Sequence, residues 1–212
     1  MDHQPNTVLL HDGSGVDDQP CLQAVEALTR ALELHDYRRG YFAETESHGM
    51  RVSRLALRLA QRVAPELAAD QHLLAGFRLH DIGMIGVSES ILRKPGPLTR
   101  ADLDEIREHP ILGERIIAPI SCLGGIARQV IGAHHEHWNG TGYPRRLQGE
   151  QIPLPARIFS LADAFDAMTS SQPYRDALPL EIALTEIERG CGSQFDPELA
   201  PIFIQLVEEQ TP

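Results

Sequence analysis

The sequence predicts an all-α protein, a single bundle of about seven or eight helices. Three observations predict it. Apolar residues recur three and four positions apart along most of the chain, the mark of helices with one buried face. No stretch alternates apolar and polar residues as a half-buried strand does. Proline and glycine cut the periodic stretches at helix-length intervals. The chain has 212 residues, enough for one domain with a core that needs no staples.

Residues 1–19 are polar and acidic, broken by Pro5, Gly13 and Gly15, and read as a flexible tail; residues 20–212 form the domain. From Pro20, CLQAVEALTRALEL places Leu22, Val25, Leu28 and Leu32 on one helical stripe. HGMRVSRLALRLAQRV repeats the pattern and stops before Pro65. HLLAGFRLHD is a third helix, closed by Gly83, and IGVSESILRKPGPL is a loop. Thr99 with Asp102 makes a variant capping box for a helix through Leu103 and Ile106 to His109, before Pro110. IARQVIGAHHEHW is the next helix, followed by ARIFSLADAFDAM after Pro153 and Pro155. LEIALTEIERG ends at Gly190, and Asp196-Pro197 opens a last helix to about Glu208.

Composition narrows the function. A net charge of −11 argues against nucleic-acid polymers and anionic membranes as partners. It leaves room for an anionic small ligand held by metal or a local arginine cluster. No run approaches a membrane span, and MDHQPNTVLLHDG lacks a basic n-region and an apolar h-region, so a cytoplasmic protein is expected. Cys21, Cys122 and Cys191 are far apart, with no CxxC, and are expected to be reduced thiols.

Ten histidines are more than structure alone needs. His3, His11, His35 and His72 are isolated and read as ordinary. His80-Asp81 ends a helix at a glycine turn, His109 precedes Pro110, and His134-His135 share a segment. Asp163 lies in an apolar helix, where an unpaired carboxylate is expensive. Imidazole and carboxylate together suit divalent Mn, Fe, Ni or Zn. Adjacent helical residues point about 100° apart, so His134 and His135 can address one metal or two neighbours. Asp81 can bridge through its two oxygens. The segment ends in HHEHWNGTGYP, whose Asn-Gly, Thr-Gly and Tyr-Pro pairs make turns. Such a loop can rim a buried centre, with Tyr143 stacking on a flat ligand or donating its hydroxyl.

These residues resemble the HD-GYP branch of the HD-domain phosphohydrolases over nearly all of residues 20–207. The matching run is ETESH (44–48), HDIGMIG (80–86), ILRKPGPLT (91–99), EHPILG (108–113), HHEHWNGTGYP (134–144), LQGEQIPLPARIFSLADAFDAMTS (147–170), PYR (173–175) and FDP (195–197). The resemblance implies an HD-type helical bundle with a GYP rim. It implies two or three divalent metal ions, Fe or Mn first and Ni or Zn also compatible. It implies hydrolysis of cyclic di-GMP to pGpG, GMP or both. By position, Glu44, His48, His80, Asp81, His109, His134, His135 and Asp163 are the implied metal ligands, with His80 and Asp81 catalytic. Glu44 would make the centre trinuclear; the alternative is a solvated charge.

Two positions depart from the family. Met84 stands where Lys is usual in HDxGK, and Gln172 where Arg is usual before Pro-Tyr. Both basic residues lie toward substrate phosphate in relatives; Arg175 keeps a third charge. Charge-assisted hydrogen bonds contribute about 1.5–3 kcal/mol each, so the phosphate side is weakened. Substrate contact is therefore expected from Tyr143, Arg175, Met84 and Gln172. Three readings follow: a cyclic di-GMP phosphodiesterase of ordinary or reduced activity; a metal phosphodiesterase for another cyclic dinucleotide; or a metal-bound module of low activity that signals by contact. Its partner would be a diguanylate cyclase or receiver-domain protein acting in trans.

Overall fold

The structure, a computed structural model, describes residues 19–38, 47–171 and 176–209. The expected tail, up to residue 18, and the site residues Glu44, Gln172 and Arg175 lie outside them. The described elements are α1 (Gln19–Arg38), α2 (His48–Val63), α3 (Pro65–Ala68), α4 (Gln71–Arg78), a 3-10 turn (Ile82–Gly86), α5 (Glu89–Leu92), α6 (Arg100–Ile106) and α7 (His109–Ile117). A 3-10 turn (Ser121–Leu123), α8 (Ile126–Ala133), a 3-10 turn (Gly149–Gln151), α9 (Leu154–Thr169), α10 (Leu180–Gly190) and α11 (Leu199–Glu208) follow. Among the described residues there are isolated β-bridges but no strand. Among the described residues no helix is long and apolar enough to cross a membrane.

The centre of the fold is α2 against α9. Val52, Ala56, Leu59 and Ala60 form the buried stripe of α2, at the three- and four-residue spacing of one helical face. They meet Ile158, Phe159, Leu161 and Ala162 of α9, with Phe77 of α4 and Phe203 of α11 in the same cluster. Phe77 stacks on Phe159 with ring centroids 5.2 Å apart. A second cluster joins α1, α4, α7 and α8 through Val25, Leu32, Leu79, Ile82, Ile117 and Ile131. The metal-type residues lie where these two clusters meet.

Local chemistry sets the ends that matter. Asp70 caps α4 by accepting from the His72 amide. Thr99 and Asp102 complete the expected capping box of α6. That helix ends at Ile106. His109 belongs instead to the start of α7, with Pro110 in its first turn, where a missing N–H costs nothing. Likewise α8 ends at Ala133, so His134 and His135 lie beyond the helix rather than on it. The stretch expected as a loop after Gly83 contains the short α5.

The cysteines correct another expectation. Cys21 and Cys122 are joined by a disulfide, and only Cys191 is free. The two lie 101 residues apart in sequence. They meet because α1 packs on the α4 side of the bundle, a contact that spacing rules do not encode.

Candidate metal centre

Five elements deliver the expected ligands. His48 is the first residue of α2, His80 and Asp81 follow α4, His109 begins α7, His134 and His135 follow α8, and Asp163 lies within α9. Helix ends suit this role, because a side chain there can reach into a gap between packed helices. Gly83 brings two of the elements together. A Cβ on it would stand 1.8 Å from the His109 carbonyl oxygen, so only glycine lets the turn after Asp81 seat against α7.

The ligands fall into two groups. His48, His80 and Asp163 form one; Asp81, His109, His134 and His135 form the other. Asp81 spans both. Its Oδ2 is 3.4 Å from His80 Nε2, while Oδ1 is 3.2 Å from His109 Nε2 and 3.7 Å from His134 Nε2. His48 Nε2 is 3.2 Å from Asp163 Oδ1. His80, His109 and His134 are 3%, 2% and 1% exposed, whereas the His48 and Asp81 side chains are 41% and 33% exposed. The centre is thus closed on its histidine floor and open along the side that His48 and Asp81 line.

The outer hydrogen bonds fix which nitrogen faces inward. His80 Nδ1 donates to the Phe77 carbonyl at 3.0 Å, His109 Nδ1 to Ile106 at 2.8 Å, and His134 Nδ1 to Ile131 at 3.0 Å. Each Nε2 therefore faces inward and presents a lone pair whenever its ring is neutral. His109 Nε2 and His134 Nε2 face one another at 3.1 Å. Two lone pairs at that distance repel, and a cation shared among these donors and Asp81 removes the conflict. The donor set, all imidazole and carboxylate, fits borderline and hard divalent metals. His48 is held differently: its Nδ1 donates to Asp166 Oδ2 at 2.8 Å, and Arg51 clamps the same carboxylate at 2.7 and 3.0 Å.

Burial opposes charge on all these groups, and their neighbours decide the outcome. For Asp81 burial favours the neutral acid, but the His80 charge and the closely apposed imidazoles of His109 and His134 hold its pKa well below the usual carboxylate range. Asp163 is likewise buried, yet the His48 hydrogen bond and nearby imidazolium charge bring it to about 2. His48 is raised to about 10, its burial outweighed by hydrogen bonds to Asp163 and Asp166. His80 is raised because Asp81 outweighs its burial. Burial lowers His134, and it lowers His135 further, with the His134 charge adding to the effect. Two imidazoles are thus kept neutral, as ligands must be. A proton on His48 offsets the carboxylates when no cation does.

The GYP loop is tied to the same residues. Gly142 packs where a Cβ would meet the His137 nitrogen at 2.3 Å and the His135 oxygen at 2.5 Å. Tyr143 donates its amide to the His135 carbonyl at 3.1 Å, and its ring stacks on the His135 ring at 4.7 Å. The Arg107 guanidinium stands 5.6 Å over the Tyr143 ring. Glu136 is 3% exposed and accepts from the amides of Arg145 at 2.7 Å and Leu147 at 3.0 Å. Arg157 lies over the Trp138 ring and pairs with Asp196.

Seven of the eight expected ligands, His48, His80, Asp81, His109, His134, His135 and Asp163, are therefore brought together; Glu44 is not described. Tyr143 stands beside the ligands. Met84, expected at a substrate-contacting position, is a buried thioether, 7% exposed. Sequence reasoning missed Arg51, Glu136 and Arg107. The available signal was spacing: Asp166 follows Asp163 by three and Arg51 follows His48 by three, one face of each helix.

Comparison with known proteins shows what the chain is similar to. The model of the HD domain family matches residues 26–199. The chain is 38% identical over 172 residues to a cyclic di-GMP phosphodiesterase of Thermotoga maritima, covering 79% of this chain and 46% of that protein. It is 40% identical over 154 residues to the 3′3′-cGAMP-specific phosphodiesterase 3 of Vibrio cholerae, covering 73% and 33%. The solved structure of Bd1817, a HDG"Y"P protein from Bdellovibrio bacteriovorus, shares the fold with a TM-score of 0.61 and 24% identity, over 76% of this chain and 51% of that one. The V. cholerae cyclic GMP-AMP phosphodiesterase V-cGAP3 gives a TM-score of 0.57 and 26% identity, over 77% and 44%. The chain spans less than half the length of these two curated relatives.

Proposed function

The chain belongs to the HD-domain family, in its HD-GYP branch, and from that premise we propose that it is a metal-dependent phosphodiesterase acting on a cyclic dinucleotide. Cyclic di-GMP, cleaved to pGpG, GMP or both, is the first substrate. The observation that carries this reading is the convergence of seven ligands in two groups joined at Asp81. Fe or Mn is the favoured metal, with Ni and Zn compatible with the donors. A cytoplasmic setting, where such messengers would be met, suits this reading.

His48, His80 and Asp163 would hold one ion, His109, His134 and His135 a second, with Asp81 between. When bound, the ions lower the pKa of a shared water and neutralise phosphate charge. The chain's own residues do the rest. Asp81 stays ionised and keeps an oxygen toward each group, so it can orient an attacking water. Carbonyl anchors on Nδ1 hold three imidazoles in one tautomer throughout. Arg107 and Tyr143 offer a cation and a ring face at the mouth, suited to phosphate and to a flat base. Attack at phosphorus expels the 3′-oxygen, which leaves with a proton from solvent.

The test is turnover of cyclic di-GMP by anaerobically prepared protein loaded with Fe(II) or Mn(II), with products separated and metal counted on one sample. Metal-dependent product, abolished by Asp81→Ala, is expected. A full metal complement with no product from any cyclic dinucleotide overturns the reading. Met84 favours a second reading, in which a different cyclic dinucleotide such as 3′3′-cGAMP is the better substrate. Met84→Lys separates the two: a rise in cyclic di-GMP turnover supports the family substrate, and no gain supports the remodelled pocket.

A further inference from the structure

Cys21 on α1, Cys122 in the turn Ser121–Leu123 and His72 on α4 meet on the face of the molecule where α1 docks. One donor atom from each lies within 4.8 Å of the others. None of them takes part in the metal centre described above. His72 is already oriented: Asp70 Oδ1 accepts from its backbone amide at 2.8 Å and from its Nδ1 at 3.1 Å. That leaves the lone pair on Nε2, a buried atom with no hydrogen-bond partner. A carboxylate behind one imidazole nitrogen and an unused lone pair on the other is the outer arrangement of a metal-binding histidine. A cavity of ≈ 70 Å³, lined by Cys21, His72, Ala75 and Arg78 among others, opens beside the cluster. A water occupies about 30 Å³ of the liquid, so the cavity has room for one further ligand.

In the structure the two cysteines are bonded to each other, with Cα atoms 6.3 Å apart. We propose that in its dithiol state this cluster binds a zinc ion through Cys21 Sγ, Cys122 Sγ and His72 Nε2, with a fourth position open to the cavity. Two thiolates and an imidazole form a soft donor set that prefers Zn²⁺ to the harder ions suited to the His/Asp centre. An external dithiol opens the disulfide. It gives two electrons and two protons, becomes its own disulfide, and leaves two thiols. Zinc then takes both sulfurs as thiolates, and their two protons pass to solvent. Disulfide and zinc exclude one another, and each ties α1 to the bundle at the same point.

The experiment uses the full chain with Cys191→Ser, which removes the only other thiol. The protein is reduced with a dithiol, desalted anaerobically and titrated with Co²⁺. Thiolate-to-cobalt charge-transfer absorption reports this site alone, because the His/Asp centre contains no sulfur. The expected result is a band whose saturated intensity corresponds to one thiolate-bound cobalt per chain, and that is bleached by excess Zn²⁺ and absent from oxidised protein. His72→Ala is expected to weaken the site by tenfold or more. Asp70→Asn, which keeps the helix cap and both sulfurs, should weaken it by about 10–100-fold. Absence of the band in reduced protein overturns the proposal, as does a band unmoved by both His72→Ala and Asp70→Asn.

Discussion

Replacing Gly83 by alanine tests how the fold sets the metal centre. The added Cβ would stand 1.8 Å from the His109 carbonyl oxygen and 2.6 Å from the Gly113 amide nitrogen. Both are backbone atoms, so no side chain can swing aside. Real Cβ contacts begin near 3.0 Å, and the turn must therefore draw back from α7 by about 1.2 Å, the difference of the two distances. Asp81 sits two residues before Gly83, and His109 is the residue it would be pushed from. Their 3.2 Å approach lies within one ligand group, which the other oxygen of Asp81 links to His80 of the second group at 3.4 Å. A misplacement of about 1 Å in a catalytic geometry can cost on the order of 10²-fold in rate, and overpacking of this kind costs about 1–3 kcal/mol of stability. Gly83→Ala is thus expected to keep its helical spectrum, lose metal from the Asp81/His109 group and turn over a cyclic dinucleotide about 10²-fold more slowly. Gly86→Ala is the control. The nearest atom to its Cβ would be on the Leu112 side chain, at 3.1 Å, and that side chain can yield. Metal content and turnover together make the assay. Wild-type values for Gly83→Ala would show that the close approach does not position Asp81.

Asp166→Asn removes the charge that orients His48, and metal affinity should fall by about 10–100-fold; an unchanged affinity in a chelator competition would show that His48 is held without it. The His48 pKa, about 10 in the fold against an ordinary 6.5, makes a signed claim. A raised value contributes stability in full below pH 6.5 and loses it as pH climbs to about 10. Metal-stripped protein should therefore lose Tm across that window and His48→Gln lose less of it, whereas equal slopes for the two would refute the assignment. Reducing the disulfide frees a loop of 101 residues. Chain entropy sets the effect at about 4.7 kcal/mol for a loop near that length, and removal of native disulfides typically costs about 2–5 kcal/mol. Urea denaturation of zinc-free protein with and without a dithiol should show a loss in that range, and an unmoved midpoint would mean that the folded protein lacks the cross-link.

Elements with a clear stripe and firm punctuation were legible from residues alone. The reading of α2 and α10 coincides with the structure from end to end, because apolar period, Pro65, Pro179 and Gly190 all agree. Pro110 misled. Read as a stop for the preceding helix, it hides α7, because proline is equally at home in a helix's first turn. His134 and His135 were placed on a helix because apolar residues run up to them. The close packing of Gly142 against that segment, which turns the chain, is a tertiary fact. The expected ligand set comes from the family resemblance; on physical grounds alone Asp163 stands out, as a carboxylate in an apolar helix that is costly without a partner. The supports of the ligands were not legible: three histidines are anchored by backbone carbonyls, which carry no residue identity. The pairing of Cys21 with Cys122 was out of reach for the same reason, since it depends on where α1 docks.

Glu136 has a consequence for any attempt to move specificity between relatives. Its carboxylate, buried between two imidazoles in sequence, gathers the amides of Arg145 and Leu147 across the loop. The stretch from His134 to Leu147 is therefore one inheritable cassette. A graft cut at Trp138, separating ligands from rim, would bring in a mouth without the carboxylate it was folded around. A graft that takes the whole stretch carries its own scaffold, and the natural seams lie at the end of α8 and at the turn that begins with Gly149.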